Sequence, residues 1–167
     1  MKKILTLMMA VMCLCATAHA KDRDNNLQVG VGLLYENGLD LTIGYEKVMG
    51  NHNAWEFFGN GYIKWAKCDD CGHVCPDSFW KNYRSWGLGA AYKPCVVRGR
   101  NHHGNVRIGA SLGSDTHNVL GGIHAGYEHS YVLRGGWQLF WQVKTDFMIV
   151  GEDWFRTGIV LGFKLPV

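Results

Sequence analysis

The sequence predicts an all-β protein: an eight-stranded antiparallel up-and-down transmembrane β-barrel over residues 21–167. Three observations carry that expectation. The final stretch runs Phe155-Arg156-Thr157-Gly158-Ile159-Val160-Leu161-Gly162-Phe163-Lys164-Leu165 and alternates almost strictly. Side chains of a strand change face at every residue, so Phe155, Thr157, Ile159, Leu161, Phe163 and Leu165 share an apolar face. About 11 residues suffice to cross a bilayer as a tilted strand. Composition agrees, because 22 glycines, 7 tryptophans and 7 tyrosines stand against 3 prolines. Glycine and aromatics in short alternating segments suit a barrel rather than a helical protein. Finally, turn signals divide the preceding chain into further stretches of the same kind.

Residues 1–20 stand apart as a secretory signal peptide. Lys2 and Lys3 form its positive start, Ile4 to Ala16 its apolar core, and Ala18-His19-Ala20 a small-x-small cleavage site before Lys21. The apolar run is shorter than the roughly 18 residues a spanning helix needs. Cys13 follows Met12 and Cys15 follows Leu14, neither a small lipobox residue, so lipidation is not expected. About 147 residues remain, enough for one domain with one enclosed core. Losing Lys2 and Lys3 takes 17 basic residues to 15 against 14 acidic ones. A near-neutral chain argues against direct nucleic-acid binding, which usually requires a basic face.

The first predicted strand is Leu27 to Tyr35, with Leu27, Val29, Val31, Leu33 and Tyr35 opposite Gln28, Gly30 and Gly32. Asn37-Gly38 is a strong hairpin signal. Leu39 to Lys47 follows, with Leu39, Leu41, Ile43 and Tyr45 against Asp40, Thr42, Gly44 and Glu46. After a turn from Met49 to Asn53, the third strand sets Trp55, Phe57, Gly59, Gly61, Ile63 and Trp65 against Glu56, Asn60, Tyr62 and Lys64. Lys67 to Ser78 breaks the alternation. The fourth strand, about Phe79 to Lys93, places Trp86, Leu88, Ala90 and Tyr92 opposite Lys81, Tyr83, Gly87 and Gly89. Pro94 ends it, and the polar run Arg98 to Gly104 reads as a turn. Val106, Ile108, Ala110 and Leu112 then oppose Arg107, Gly109, Ser111 and Gly113. Ser114 to His117 turns the chain into a strand with Val119, Gly121, Ile123, Ala125, Tyr127 and Tyr131 against Gly122, His124, Gly126, Glu128 and Ser130. Arg134-Gly135-Gly136 is a tight turn. Trp137, Leu139, Trp141, Val143, Thr145 and Phe147 oppose Gln138, Gln142, Lys144 and Asp146, and Gly151-Glu152-Asp153 leads to the closing strand. Eight strands place both termini at one end.

Alternation alone fits two barrels, one greasy inside and one greasy outside. A soluble lipocalin-like barrel needs its charges outward. Two features favour the membrane reading. Glycine alternates with long charged residues on the polar face, as a narrow interior filled by side chains requires. Tyr35, Trp55, Trp65, Tyr92, Tyr131, Trp137 and Phe155 lie near strand ends on the apolar face, as interfacial girdles do, although Trp86 and Trp141 fall nearer mid-strand. Asp40, Glu46, Glu56, Lys64, Arg107, Glu128, Lys144, Asp146, Arg156 and Lys164 then become a charge network in the lumen. Eight strands leave no aqueous channel, so this network is read as structural. Gly162→Ala is expected to be mild unless the lumen is tightly packed.

Cys68-Asp69-Asp70-Cys71-Gly72-His73-Val74-Cys75 is the sharpest local feature. Cys68, Cys71, His73 and Cys75 are ligand types that zinc favours. A disulfide among Cys68, Cys71 and Cys75 is the preferred alternative in an exported protein. Gly72 after Cys71 excludes a haem attachment motif. Cys95 falls at the opposite rim, about 40 Å along a strand of some 12 residues, and is expected to stay unpaired with the loop. His124 faces the lumen as a buried, hydrogen-bonded histidine. Ser111 or Ser130 with His124 and an acid could form a hydrolase set, but no Gly-x-Ser-x-Gly elbow accompanies them. No catalytic residue and no cofactor are expected.

The second half is similar to a known family. Gly121-Gly122 through Tyr127-Glu128, Tyr131-Val132-Leu133, the strand from Trp137 to Asp146, and Thr157-Gly158 through Gly162-Phe163-Lys164-Leu165 resemble the conjugative transposon protein TraO family. The resemblance covers roughly the last 50 residues well and the first half by pattern. The chain departs from that family in its Cys-rich loop and in ending Pro166-Val167 rather than on an aromatic. The resemblance implies a small exported barrel in the outer membrane of a Gram-negative bacterium. It would be a structural part of a conjugative DNA-transfer apparatus, with outer-membrane lipid and other apparatus proteins as partners and no small-molecule substrate. A general small barrel for adhesion or surface protection, with the Lys67 to Ser78 loop as its binding element, is the alternative. A soluble ligand-binding barrel is the third.

Overall fold

A computed structural model of the chain describes residues 25–68, 71–75, 82–115, 117–151 and 153–167. The expected signal peptide, Phe79, Lys81, Asp69, Asp70 and Glu152 lie outside the described residues. Nine strand segments form one antiparallel sheet: β1 Asn25–Leu34, β2 Gly38–Val48, β3 Ala54–Trp65, β4 Asn82–Lys93, β5 Cys95–Arg98, β6 His102–Ser114, β7 Val119–Val132, β8 Gln138–Met148 and β9 Phe155–Pro166. Consecutive strands pair along the chain, except that β4 and β5 both pair with β6 rather than with each other. β1 pairs with β9 from Asn26↔Pro166 to Leu34↔Gly158. The sheet is thereby closed. The Val167 amide donates to the Asn25 carbonyl at 3.0 Å, so these two residues meet at one rim, here the terminal end.

β4 and β5 are one stave of an eight-stave barrel, interrupted at Pro94. Proline has no N–H to give a ladder, but its carbonyl still accepts the Val106 amide at 3.0 Å. The sequence reading ended the strand at Pro94 and assigned Arg98 to Gly104 to a turn. The structure shortens that turn to residues 99–101, since Arg98 pairs with His103 and Cys95 with Asn105 around a register shift.

The first hairpin lies where Asn37-Gly38 put it, but with a different division of labour. Glu36 and Asn37 carry the positive φ values, 61° and 63°. Gly38 is needed instead for space, because a Cβ there would sit 2.8 Å from the Tyr62 ring.

Polarity decides the class of barrel. Val29, Val31, Leu41, Ile43, Ile108, Leu112, Ile123, Val143, Ile159 and Leu161 all face outward and exposed. Asp40, Glu46, Glu56, Arg107, Glu128, Lys144, Asp146, Arg156 and Lys164 are all buried inside. Charges inside and aliphatics outside are the reverse of a lipocalin, which removes the soluble ligand-binding alternative. This is the polarity of a barrel solvated by hydrocarbon. Trp86 lies within β4, opposite Gly61 of β3 and Ser114, the last residue of β6. Trp141 belongs to an outward cluster, its ring stacked on His129 at 5.7 Å and tilted against Tyr127 at 5.6 Å.

Candidate functional site

The interior is the chemically richest part of the molecule, and its parts come from every stave. Toward the terminal end, Lys93, Arg107 and Lys164 meet Glu46, Glu56 and Glu128. Lys93 Nζ donates to Glu46 at 2.7 Å, Glu128 at 2.8 Å and Gln28 at 3.2 Å, using all three ammonium hydrogens. Lys164 Nζ donates to the same two glutamates at 2.7 and 2.6 Å. Arg107 grips Glu56 through two bonds, at 2.8 and 3.1 Å. Three cations against three carboxylates leave the cluster neutral. Buried charges cost several kcal/mol each unless paired and fully hydrogen-bonded, and these largely are. Asn26 donates to Glu46 at 3.2 Å, and Gln28 donates to Glu56.

Lys93 is the hub, with no exposed surface, and sequence reasoning did not place it in the network. The signal was present: Gly87, Gly89 and Lys93 share parity along β4, and that parity is inward. The sequence reading used it only as the end of the fourth strand, before Pro94.

Further along the axis, Lys144 bridges Asp40 at 2.7 Å and Asp146 at 2.9 Å. Asp146 also accepts from His124 Nδ1 at 2.7 Å, and His124 Nε2 meets Ser111 Oγ at 2.6 Å. Phe58 packs edge-on against the His124 ring at 5.2 Å and carries the Arg107 guanidinium over its face at 4.3 Å. Leu34, Phe58, Leu120, Phe140, Met148 and Val160 are buried in the same interior. Arg156 lies over the Tyr62 ring at 4.1 Å and donates to Ser85 at 3.0 Å. At the far mouth Lys64 bridges Asp153 and Glu36, each at 2.9 Å, and Tyr62 donates to Asp153. Lys64 is the one member of the predicted set that is half-buried; the other nine are buried.

Ser111, His124 and Asp146 therefore have the connectivity of an acyl-transfer triad. Ser130 Oγ, the other serine considered, is buried with no hydrogen-bond partner among the described residues. A nucleophile must also meet its substrate, at roughly 3 Å. Ser111 is only 8% exposed and His124 and Asp146 1% each, enclosed by Phe58, Gly122 and Lys144. In this packing the hydrogen bonds from Ser111 through His124 hold Asp146 in place, and all three side chains are buried.

Three of the described cysteines follow β3. β3 and β4 run on together to Trp65↔Asn82, past Ser114 where β6 ends, so their connection overhangs the rim opposite the termini. The Sγ atoms of Cys68, Cys71 and Cys75 all lie within 4.8 Å of one another, and no disulfide joins them. The Cys68 amide donates to the His73 carbonyl and the Gly72 amide to the Cys68 carbonyl, both at 2.9 Å. The His73 side chain is exposed and is not part of the sulfur group. Cys95 opens β5 at the terminal end, its amide donating to Asn53 at 2.9 Å.

The chain matches no protein-family model and no curated protein sequence. Solved structures do share its shape. A de novo designed transmembrane β-barrel superposes with a TM-score of 0.53 at 13% identity, covering 88% of this chain and 98% of the designed one. A major outer membrane protein from Thermus thermophilus gives 0.55 at 11% identity, covering 86% of this chain and 98% of its own. The shared property is the transmembrane barrel fold.

Proposed function

We propose that this chain is a non-enzymatic outer-membrane barrel of a Gram-negative bacterium and a structural component of a conjugative DNA-transfer apparatus. The observation that carries the structural reading is the filled lumen. The buried side chains of Lys93, Lys164, Phe58, Phe140 and their partners fill the middle of the bore, which supports a structural role over a solute path. What remains for function is the belt, which hydrocarbon wets, and the two rims, which proteins can reach. The conjugation assignment rests on the resemblance of the last strands to the TraO family. Lipid is the partner of the belt, and apparatus proteins are the partners of the rims. Nucleic acid is not a direct partner, as the near-neutral charge supports.

Deletion of the gene in a donor strain tests the role. The expected result is a fall in mating frequency that the wild-type gene restores, with the protein in outer-membrane fractions. Unchanged mating frequency in a strain that makes the protein sinks the conjugation assignment and leaves the membrane barrel standing. The overhanging loop supports a second reading, adhesion or surface protection. In that case, loop deletion alters surface binding while mating is untouched.

A further inference from the structure

We propose that Cys68, Cys71 and Cys75 form a site for one zinc ion at the overhanging rim. The reasoning is independent of the conjugation role, because it rests on the loop alone. Zinc at about 2.3 Å from each thiolate holds tetrahedral sulfurs about 3.8 Å apart. The three sulfurs, already within 4.8 Å, need only draw in slightly. They belong to a segment folded back on itself before any metal arrives. The paired bonds between Cys68, Gly72 and His73 close the turn, and Gly72 supplies its left-handed residue at φ 68°. The Cys71 thiol also donates to the His73 carbonyl at 3.6 Å.

Parity favours a metal over a bridge. A disulfide consumes two thiols, and three stand at this rim while Cys95 lies at the other end of β4. Any intrachain pairing within the cluster leaves one thiol over in an oxidising compartment. One ion uses all three. Thiolates exclude calcium and magnesium, which want oxygen, and zinc is redox-inert where other soft ions are not. Three protein thiolates leave a fourth position open, with the exposed His73 imidazole two residues from both Cys71 and Cys75 as its nearest imidazole donor in the sequence. Loading releases the thiol protons, so affinity falls as pH falls.

The test uses the mature protein refolded in detergent micelles, reduced and then freed of reductant without air. Cobalt serves as the spectroscopic probe and zinc as its competitor. The expected result is one equivalent of cobalt, with thiolate charge-transfer absorption that zinc abolishes. Cys68→Ser, Cys71→Ser and Cys75→Ser should each weaken uptake about tenfold or more, and Cys95→Ser should not. Heat-modifiable gel migration confirms that every variant is folded. Absence of saturable uptake by the folded wild-type protein overturns the proposal. So does uptake that survives all three rim substitutions. A rim disulfide without zinc, in protein purified from zinc-supplemented cells without reductant, overturns it as well.

Discussion

Replacing Ile159 with arginine asks directly what solvent the outside of the barrel meets. Ile159 is 55% exposed on β9, between Leu33 of β1 and Val143 of β8, whose side chains are 74% and 44% exposed. It lies near the middle of Phe155–Pro166, so the guanidinium cannot easily reach either interface. If water covers this position, a charge there is a surface substitution, within about 0.5 kcal/mol of neutral. If hydrocarbon covers it, arginine near the midplane costs about 2–4 kcal/mol. The two cases differ by a margin that urea titration of vesicle-inserted protein resolves, read by tryptophan emission and gel migration. The expected outcome is a loss in the upper range and poor assembly in cells. Unfolding free energy within about 0.5 kcal/mol of wild type, with normal insertion, would refute the assigned polarity.

Three other perturbations probe the interior. Lys93→Met leaves Glu46, Glu56 and Glu128 facing only Arg107 and Lys164, and breaking such a buried set costs roughly 3–5 kcal/mol. Adding Glu46→Gln restores neutrality and should recover part of the loss in the same titration; no recovery would mean that packing, not charge balance, governs the site. Gly162→Ala is not mild here, because the new Cβ would sit 2.2 Å from the Val29 carbonyl and 2.6 Å from the Phe140 ring. A loss of roughly 1–3 kcal/mol is expected from overpacking, and wild-type stability would show that β1 and β9 can part at no cost. A fluorophosphonate probe should fail to label folded protein at Ser111. Labelling that disappears in Ser111→Ala would make the triad an active site.

The two faces of each strand were legible in the sequence because alternation is local: a period of two assigns Leu41 and Asp40 to opposite sides without knowledge of any partner. Turn chemistry was legible for the same reason at Asn37-Gly38 and Gly135-Gly136, where backbone preferences act over a few residues. Closure was not. Lys164 meets Glu46 across 118 residues and Lys144 meets Asp40 across 104, distances set by how far each strand is staggered against the next. The same stagger joins Ser111, His124 and Asp146 from three strands, and puts Lys93 at the centre of six charges. Among the described residues it brings no acid or imidazole into the group of three sulfurs. Sequence by itself determined that this chain makes strands with one greasy and one charged face. Only the closed sheet decided which charges meet, because a lumen exists once β1 meets β9, and its narrow bore sets each cation against carboxylates from distant strands.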